Sequence, residues 1–298
     1  MKKIKYIHCF GGSFTQGGGF EFDGNKISTD FKKLELVYGH LEEEKTQFNY
    51  SYPGQLQKMF GKDIQVINHA KSGYGNDRMY RIFYDIVSNP YFVHDENLFL
   101  IEFLGLCRKE FYSNELKDFF VTNYSISDDE LCKFIEIGQN YYYDSKDTIN
   151  TLESYKNFFE TYYNKFINYN NEINLIYRET EFFVSYLEKY KFNYLYTEPP
   201  FVLNKHAVYD ESKVILFGDG KFYERNNGFT AFGDINKISI TNETNSVIQD
   251  MHNGYGANKL VAHIIYNRII NDYLKTDTIP IDWAWYKKTN FIEYGKLN

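Results

Sequence analysis

Short apolar runs alternate with helical patterns along much of the chain, and this alternation predicts an α/β protein. Four runs predict strands, at residues 6–10, 64–68, 97–104 and 192–197. Helices are predicted at 52–60, where Pro53 suits a first turn, from Asn76 onward and after Gly256. Strands that are apolar throughout and separated by helices are typical of a mostly parallel sheet covered on both faces.

Two intervals depart from this rhythm. Residues from about 110 to 190 lack a clear strand pattern, and we interpret them as a helical insertion within a single domain spanning residues 1–298. The insertion is a candidate lid or oligomer contact, and the alternative is extra packing with no part in chemistry. Residues 217–244 are rich in Gly, Asn and Asp, which predicts a long loop or a small hairpin.

Composition excludes several classes of protein. The 298-residue chain has a formal net charge of −7 and no basic run, so no nucleic-acid partner is expected. No apolar stretch approaches the roughly 18 residues of a membrane span, and no signal-peptide pattern is present, so we expect a cytoplasmic protein without membrane contact. The three cysteines lack CxxC spacing, so neither a disulfide nor a zinc site is predicted, and no metal or cofactor is expected.

A glycine-rich turn directly after the first strand contains the first candidate site. Its sequence is Gly-Gly-Ser-Phe-Thr-Gln-Gly at residues 11–17. A serine at the carboxyl end of a parallel strand lies where open α/β folds bind ligands, and Ser13 is therefore a candidate nucleophile. The alternative of a phosphate-binding loop is weaker, because the GxGxxG spacing and a following Gly-Lys-Ser/Thr are both missing.

The second candidate segment is Asp250-Met251-His252, on a predicted loop ahead of the closing helix. A histidine can accept the proton of a serine when a carboxylate orients its ring and stabilises the imidazolium. An isolated Asp-x-His is common at protein surfaces. Its position before the last helix, however, is one that a parallel α/β fold would bring close to Ser13.

Three segments together resemble the SGNH (GDSL-like) hydrolase superfamily. The turn at 11–17 resembles the first block of that superfamily, Gly-Asp-Ser-x-x-x-Gly. Residues 68–76, Asn-His-Ala-Lys-Ser-Gly-Tyr-Gly-Asn, resemble its Asn-x-Ala-x-x-Gly block, and Asp250-Met251-His252 resembles its last block. The resemblance covers both ends of the chain and leaves the middle uncovered.

The resemblance implies a three-layer α/β/α sandwich and the hydrolysis or transfer of an acyl ester. By the same resemblance Ser13 is the nucleophile, His252 the base and Asp250 the residue that orients His252. The backbone N–H groups of Ser13 and Gly73 would then donate to the oxyanion.

Two positions depart from the superfamily pattern. Gly12 replaces the aspartate of the first block, which mainly braces the turn. The third block, Gly-x-Asn-Asp, has its nearest match at residues 105–108, Gly-Leu-Cys-Arg, so the third oxyanion donor is missing from its usual place. Asn76 is the preferred replacement and Arg108 the alternative. We expect Gly12, Arg108 and Glu198 to border the substrate.

The leading function is therefore an esterase or O-acyltransferase acting on a small acyl group of a carbohydrate or similar hydroxylated molecule. The alternative is a catalytically weak SGNH-fold protein that serves binding or assembly. Phosphatase or nucleotide-binding chemistry is a third option, for which neither a metal site nor a phosphate-binding lysine is found. Among other residues, His8 is predicted to be a core histidine, His69 is a candidate pocket residue, and Arg108 is a candidate ion-pair partner for Glu102 or Glu110.

Overall fold

The computed structural model describes most of the parallel sheet and its helices. The described residues are 4–16, 48–49, 51–71, 75–104, 108–114, 118–126, 132–137, 161, 165, 169–198, 209–215, 237–241, 247–253 and 255–281.

A parallel sheet of four strands forms the centre of the fold. Its strands are β1 (Tyr6–Phe10), β2 (Gln65–Asn68), β3 (Asn97–Glu102) and β7 (Tyr194–Glu198). They lie in the order β2-β1-β3-β7, and every neighbouring pair is parallel. All four agree with the predicted strands to within two residues at most ends, and the α/β class is confirmed. Strand β3 is buried along its whole length, as expected for an apolar strand in the middle of a sheet.

The helices that flank this sheet have clear sequence causes. They are α1 (Ser13–Gln16), α2 (Tyr52–Phe60), α3 (Asn76–Val87), α4 (Tyr169–Lys189) and α5 (Tyr255–Ile269). Pro53 lies in the first turn of α2, where its missing N–H costs no hydrogen bond. In α3, Met79 and Phe83 are buried four residues apart and form one apolar face. Helix α5 continues into a π-turn that ends at Lys275 in the left-handed conformation.

Alternate residues of the strands belong to two separate hydrophobic clusters. On β3, Leu98 and Leu100 pack in the cluster that includes side chains of α2 and α5. Phe99 and Ile101 pack in the other cluster, with side chains of α3 and α4. Because successive residues of a strand point to opposite faces, helices cover both faces of the sheet.

The prediction of a helical insertion from about 110 to 190 is wrong for its first part. A three-stranded antiparallel sheet forms there, from β4 (Arg108–Ser113), β5 (Asp118–Ile126) and β6 (Cys132–Ile137). The last part is helical as predicted, in α4. The apolar positions between 128 and 138 fit a helix as well as a strand, and pairing with β5 decides the outcome.

Strands β8 (Lys237–Thr241) and β9 (Val247–Asn253) form an antiparallel pair. This pair agrees with the hairpin alternative for the Gly/Asn/Asp-rich interval, although it extends beyond residue 244. It corrects the prediction for Asp250 and His252, which lie on a strand rather than on a loop. Among the described residues, no helix combines the length and apolar character needed to cross a membrane.

Candidate active site

Strand β1 leads directly into the glycine-rich turn at the carboxyl edge of the sheet. The strand ends at Phe10, and helix α1 begins at Ser13. The backbone N–H of Gln16 donates to the carbonyl of Gly12 at 3.0 Å and closes the first helical turn. The sequence prediction therefore places Ser13 correctly between strand and helix, while its side chain lies outside the described part of the structure.

Close approach of other groups leaves little room for a side chain at the two positions before Ser13. A Cβ on Gly11 would lie 2.1 Å from Oε2 of Glu102 and 2.6 Å from Oγ1 of Thr15. A Cβ on Gly12 would lie 2.9 Å from Cδ2 of Leu104. Such distances exclude a side chain at Gly11 unless its surroundings move. The turn therefore packs tightly against the end of β3.

Glu102 is the last residue of β3, and only 1% of it is exposed. Its Oε2 accepts a hydrogen bond from the Gly12 backbone N–H at 3.3 Å and another from the Thr15 hydroxyl. The Thr15 hydroxyl also lies 3.4 Å from the hydroxyl of Tyr52. Burial raises the pKa of Tyr52 well above its usual value of 10.0, and Cys9 and Glu102 raise it further. This buried polar group directly beneath the serine turn was not predicted from the sequence.

Asn68, at the end of β2, joins the segment that follows β2 to helix α1. Its Nδ2 donates to the carbonyl of Thr15 at 3.1 Å, and its Oδ1 accepts from the Ala70 N–H at 3.1 Å. The Lys71 N–H donates to the carbonyl of Gly11 at 3.3 Å. The first two segments therefore meet at the sheet edge. Gly73, a predicted oxyanion donor, lies outside the described residues.

Asn76 is the first residue of α3, and its side chain binds the segment that follows β3. Its Nδ2 donates to the Leu104 carbonyl at 3.2 Å, and its Oδ1 accepts from the Leu104 N–H at 2.8 Å. This pair of bonds uses the amide oxygen and one amide hydrogen. Asn76 thus holds the backbone at the carboxyl end of β3, and its role as an oxyanion donor stays a prediction.

The segment containing Asp250 and His252 lies beside the serine turn. Cα atoms of β9 and of helix α1 approach within 8 Å of each other. The pairing of β9 with β8 shifts register between Asp250 and Asn253, so His252 lies within a strand irregularity. Such irregularities are frequent next to active sites, where they redirect side chains. The backbones of the three predicted triad residues therefore belong to contacting elements; the side chains of Asp250 and His252 lie outside the described part.

Two histidines and an asparagine form a hydrogen-bonded chain that joins the middle of β1, the start of β3 and the residue after β2. His8 Nε2 lies 2.8 Å from Oδ1 of Asn97, and His8 Nδ1 lies 2.9 Å from His69 Nε2. Since Oδ1 of Asn97 accepts, His8 Nε2 carries the proton and His69 donates to His8 Nδ1. His8 is 5% exposed, which confirms it as a core histidine. His69 is partly buried and stacks on the rings of His8 and Phe10.

Both rings are held in the neutral form. Burial lowers the pKa of His69 to about 3, with further lowering by His8 and Arg78. Burial also lowers the pKa of His8, against its hydrogen bond to Asn97, which raises it. Neutral rings suit this chain of bonds, because protonated His8 and His69 would place two donors against each other.

Ion pairs fasten the antiparallel sheet to helix α3. Glu110 accepts two hydrogen bonds from Arg81, from Nε at 2.8 Å and from Nη2 at 2.7 Å. Lys109 lies 3.8 Å from Asp77 and 3.1 Å from Glu179. Glu110 thus pairs with Arg81, a partner that the sequence analysis did not consider.

The remaining predicted site residues lie at strand ends. Glu198 ends β7 and is in register with Glu102, and Arg108 begins β4. Their side chains lie outside the described part of the structure. Within the described ranges, no group of three or more His, Cys, Asp or Glu residues is placed to hold a metal ion.

Comparison with protein-family models, with curated proteins and with solved structures found no match to this chain. The fold itself defines the class: an α/β protein with a parallel central sheet, whose carboxyl edge carries a serine at a strand-to-helix turn next to an Asp-x-His strand.

Proposed function

We propose that this chain is a serine esterase or O-acyltransferase of the SGNH type. The observation that carries the proposal is the contact between helix α1, which begins with Ser13, and strand β9, which contains Asp250 and His252. These elements are more than 200 residues apart in the sequence, and each contains one part of a Ser-His-Asp arrangement.

The chemistry follows from the roles of the three residues. Ser13 Oγ attacks the carbonyl carbon of an acyl ester while His252 accepts the serine proton, and Asp250 stabilises the resulting imidazolium. His252 returns the proton to the departing alcohol, which leaves an acyl-serine. A water molecule then completes hydrolysis, or a second alcohol completes transfer, with His252 again moving the proton.

The oxyanion is proposed to be stabilised by the N–H groups of Ser13 and Gly73 and by Asn76. The Gly12 N–H already donates to Glu102, so Gly12 is not among the proposed oxyanion donors. Its contribution to the site is the absence of a side chain. Gly12, Arg108 and Glu198 border the proposed substrate position. The substrate class is a small acyl group, such as acetyl, on a carbohydrate or similar hydroxylated molecule.

The proposed architecture is the three-layer α/β/α sandwich in a single domain. The two hydrophobic clusters on opposite faces of the sheet support it. The segment between β3 and β7, with its antiparallel sheet and helix α4, is the candidate lid or oligomer contact.

A catalytically weak binding or assembly protein is the second candidate function. The hydrogen bonds between Asn76 and Leu104 favour it, because they occupy part of the side chain that would replace the missing third oxyanion donor. Loss of one such donor costs roughly 3–4 kcal/mol of transition-state stabilisation.

Hydrolysis of p-nitrophenyl acetate separates the two functions. We expect wild type to hydrolyse the ester, and Ser13→Ala and His252→Ala to lose roughly 1,000-fold or more in kcat. Ser88→Ala, the same change at an exposed serine, is the matched control and should keep the wild-type rate. Equal rates in all four proteins would reject the serine mechanism and favour the binding protein.

A further inference from the structure

The end of β3 combines two properties that rarely occur together. Leu98 to Ile101 are apolar and fully buried, and the strand then ends in a glutamate of which only 1% is exposed. Burial of a carboxylate is costly unless hydrogen bonds compensate the lost water. The groups that Glu102 contacts therefore indicate what compensates the cost of burying a carboxylate at this position.

Both described hydrogen-bond donors of Glu102 come from the serine turn. The Gly12 N–H precedes Ser13 by one residue, and the Thr15 hydroxyl follows it by two. Glu102 consequently binds a backbone N–H before Ser13 and a side-chain hydroxyl after it. On the opposite side, Asn68 holds the carbonyl of Thr15.

The geometry around the carboxylate is adapted to this contact. Glu102 follows Leu98 and Leu100 at two-residue spacing on β3, so its side chain lies on the same face of the sheet as Tyr52. Gly11 leaves the space into which the carboxylate reaches, since a Cβ there would lie 2.1 Å from Oε2. The Glu102 carboxylate at the end of β3 therefore packs directly against the turn that follows β1.

We propose that Glu102 is a positioning residue that fixes the turn carrying Ser13, with Thr15 as its partner. Glu102 acts through the backbone of the turn and does not touch the substrate. Its role rests on the proposed function, in which Ser13 Oγ attacks an ester. Because the Gly12 N–H is directed at Glu102, the carboxylate also determines which way the Gly11–Gly12 peptide faces.

The two hydrogen bonds reach the same oxygen, Oε2, and this allows geometry to be separated from charge. An amide oxygen can accept both bonds, so Glu102→Gln keeps the turn in place, whereas Glu102→Leu removes both acceptors. Thr15→Ser keeps the hydroxyl and Thr15→Val removes it with little change of shape. If the hydrogen bonds position the turn, Glu102→Gln and Thr15→Ser should stay active, whereas Glu102→Leu and Thr15→Val should be impaired.

The test measures kcat and KM for p-nitrophenyl acetate in the 298-residue chain, together with fluorophosphonate labelling of Ser13. We expect Thr15→Val and Glu102→Leu to lower kcat roughly 30- to 100-fold, because a displacement of about 1 Å at the reacting group costs on that order. KM should change less than about threefold, since the substrate contacts remain. Thr15→Ser and Glu102→Gln should stay within about fivefold of wild type.

Thr180→Val is the matched control, because it makes the same change outside the serine turn. The Thr180 hydroxyl, on α4, lies 3.2 Å from the hydroxyl of Tyr80 on α3. We expect it to keep the wild-type kcat even if its melting temperature falls. If Glu102→Leu does not fold, the comparison of Thr15→Val with Thr15→Ser tests the positioning role without it.

The outcomes separate failure of this role from failure of the proposed function. A wild-type protein labelled at Ser13 whose Thr15→Val variant keeps full kcat would overturn the positioning role alone. A Glu102→Gln protein as slow as Glu102→Leu would overturn positioning through hydrogen bonds. A wild-type protein that is not labelled at Ser13 would overturn both.

Discussion

Acid should destabilise this protein through the buried histidine chain, and replacement of His69 should remove part of that sensitivity. Burial, His8 and Arg78 lower the pKa of His69 from its usual 6.5 to about 3. Below pH 6.5 the unfolded chain therefore binds a proton that the folded chain refuses until the pH approaches 3. Stability contributed by the neutral ring is complete above pH 6.5 and decreases as the pH falls.

The magnitude follows from this window. One such histidine removes about 1.4 kcal/mol of unfolding free energy per pH unit, or about 2 kcal/mol between pH 6.5 and pH 5. Partial exposure of the His69 ring reduces this to about 1–2 kcal/mol. The pKa of His8 is lowered in the same direction, chiefly by burial, so His8 adds to the effect.

Urea unfolding followed by circular dichroism at pH 7, 6 and 5 measures this difference. His69→Gln should be less stable than wild type at pH 7, because the ring stacks on His8 and Phe10. Between pH 7 and pH 5, however, it should lose about 1–2 kcal/mol less than wild type. His94→Gln, at a histidine nearer the surface, is the control for the substitution itself. Equal losses in wild type and His69→Gln would refute the reasoning.

Two further predictions concern the core and the ion pairs. Phe83 is fully buried against three phenylalanine rings, so Phe83→Ala should lower the free energy of unfolding by about 3–5 kcal/mol, measured with urea. Phe182 is 75% exposed, so the control Phe182→Ala should change that free energy by less than about 0.5 kcal/mol. Arg81→Met should cost about 2–3 kcal/mol, because it leaves the Glu110 carboxylate buried at 3% exposure without its two-bond partner. Adding Glu110→Leu should recover part of that loss, and an Arg81→Met protein as stable as wild type would contradict the buried pair.

The central sheet could be predicted because each of its strands is specified locally. The run Asn97–Glu102 is apolar at its four central positions, as burial on both faces of a parallel sheet requires. Helix α3 has its apolar residues on one face, so its periodicity was sufficient. In these segments the local pattern and the tertiary structure require the same residues.

The antiparallel sheet could not be predicted from local periodicity in the same way. In β6 the apolar residues Phe134, Ile135 and Ile137 fit a helix or a strand, and partner pairing resolves the choice. Strand β5 did contain a usable signal, since Asp-Phe-Phe-Val-Thr-Asn-Tyr-Ser-Ile is rich in aromatic and β-branched residues. The strand position of Asp250 likewise depends on pairing with β8.

The candidate site likewise has a part that local sequence predicts and a part that depends on long-range contacts. The position of Ser13 at a strand-to-helix turn follows from adjacent residues. The bonds from Glu102 to the turn join residues 90 and 87 positions apart, and those between Asn76 and Leu104 span 28. Such contacts depend on strand order and register, which no short motif encodes.

Reaction with a fluorophosphonate probe, followed by peptide mass spectrometry, tests the central claim most directly. The account predicts a single phosphonylated residue, Ser13, with labelling abolished in Ser13→Ala and slowed in His252→Ala, because His252 activates the serine. Labelling at another residue, or none in folded wild-type protein, would contradict it.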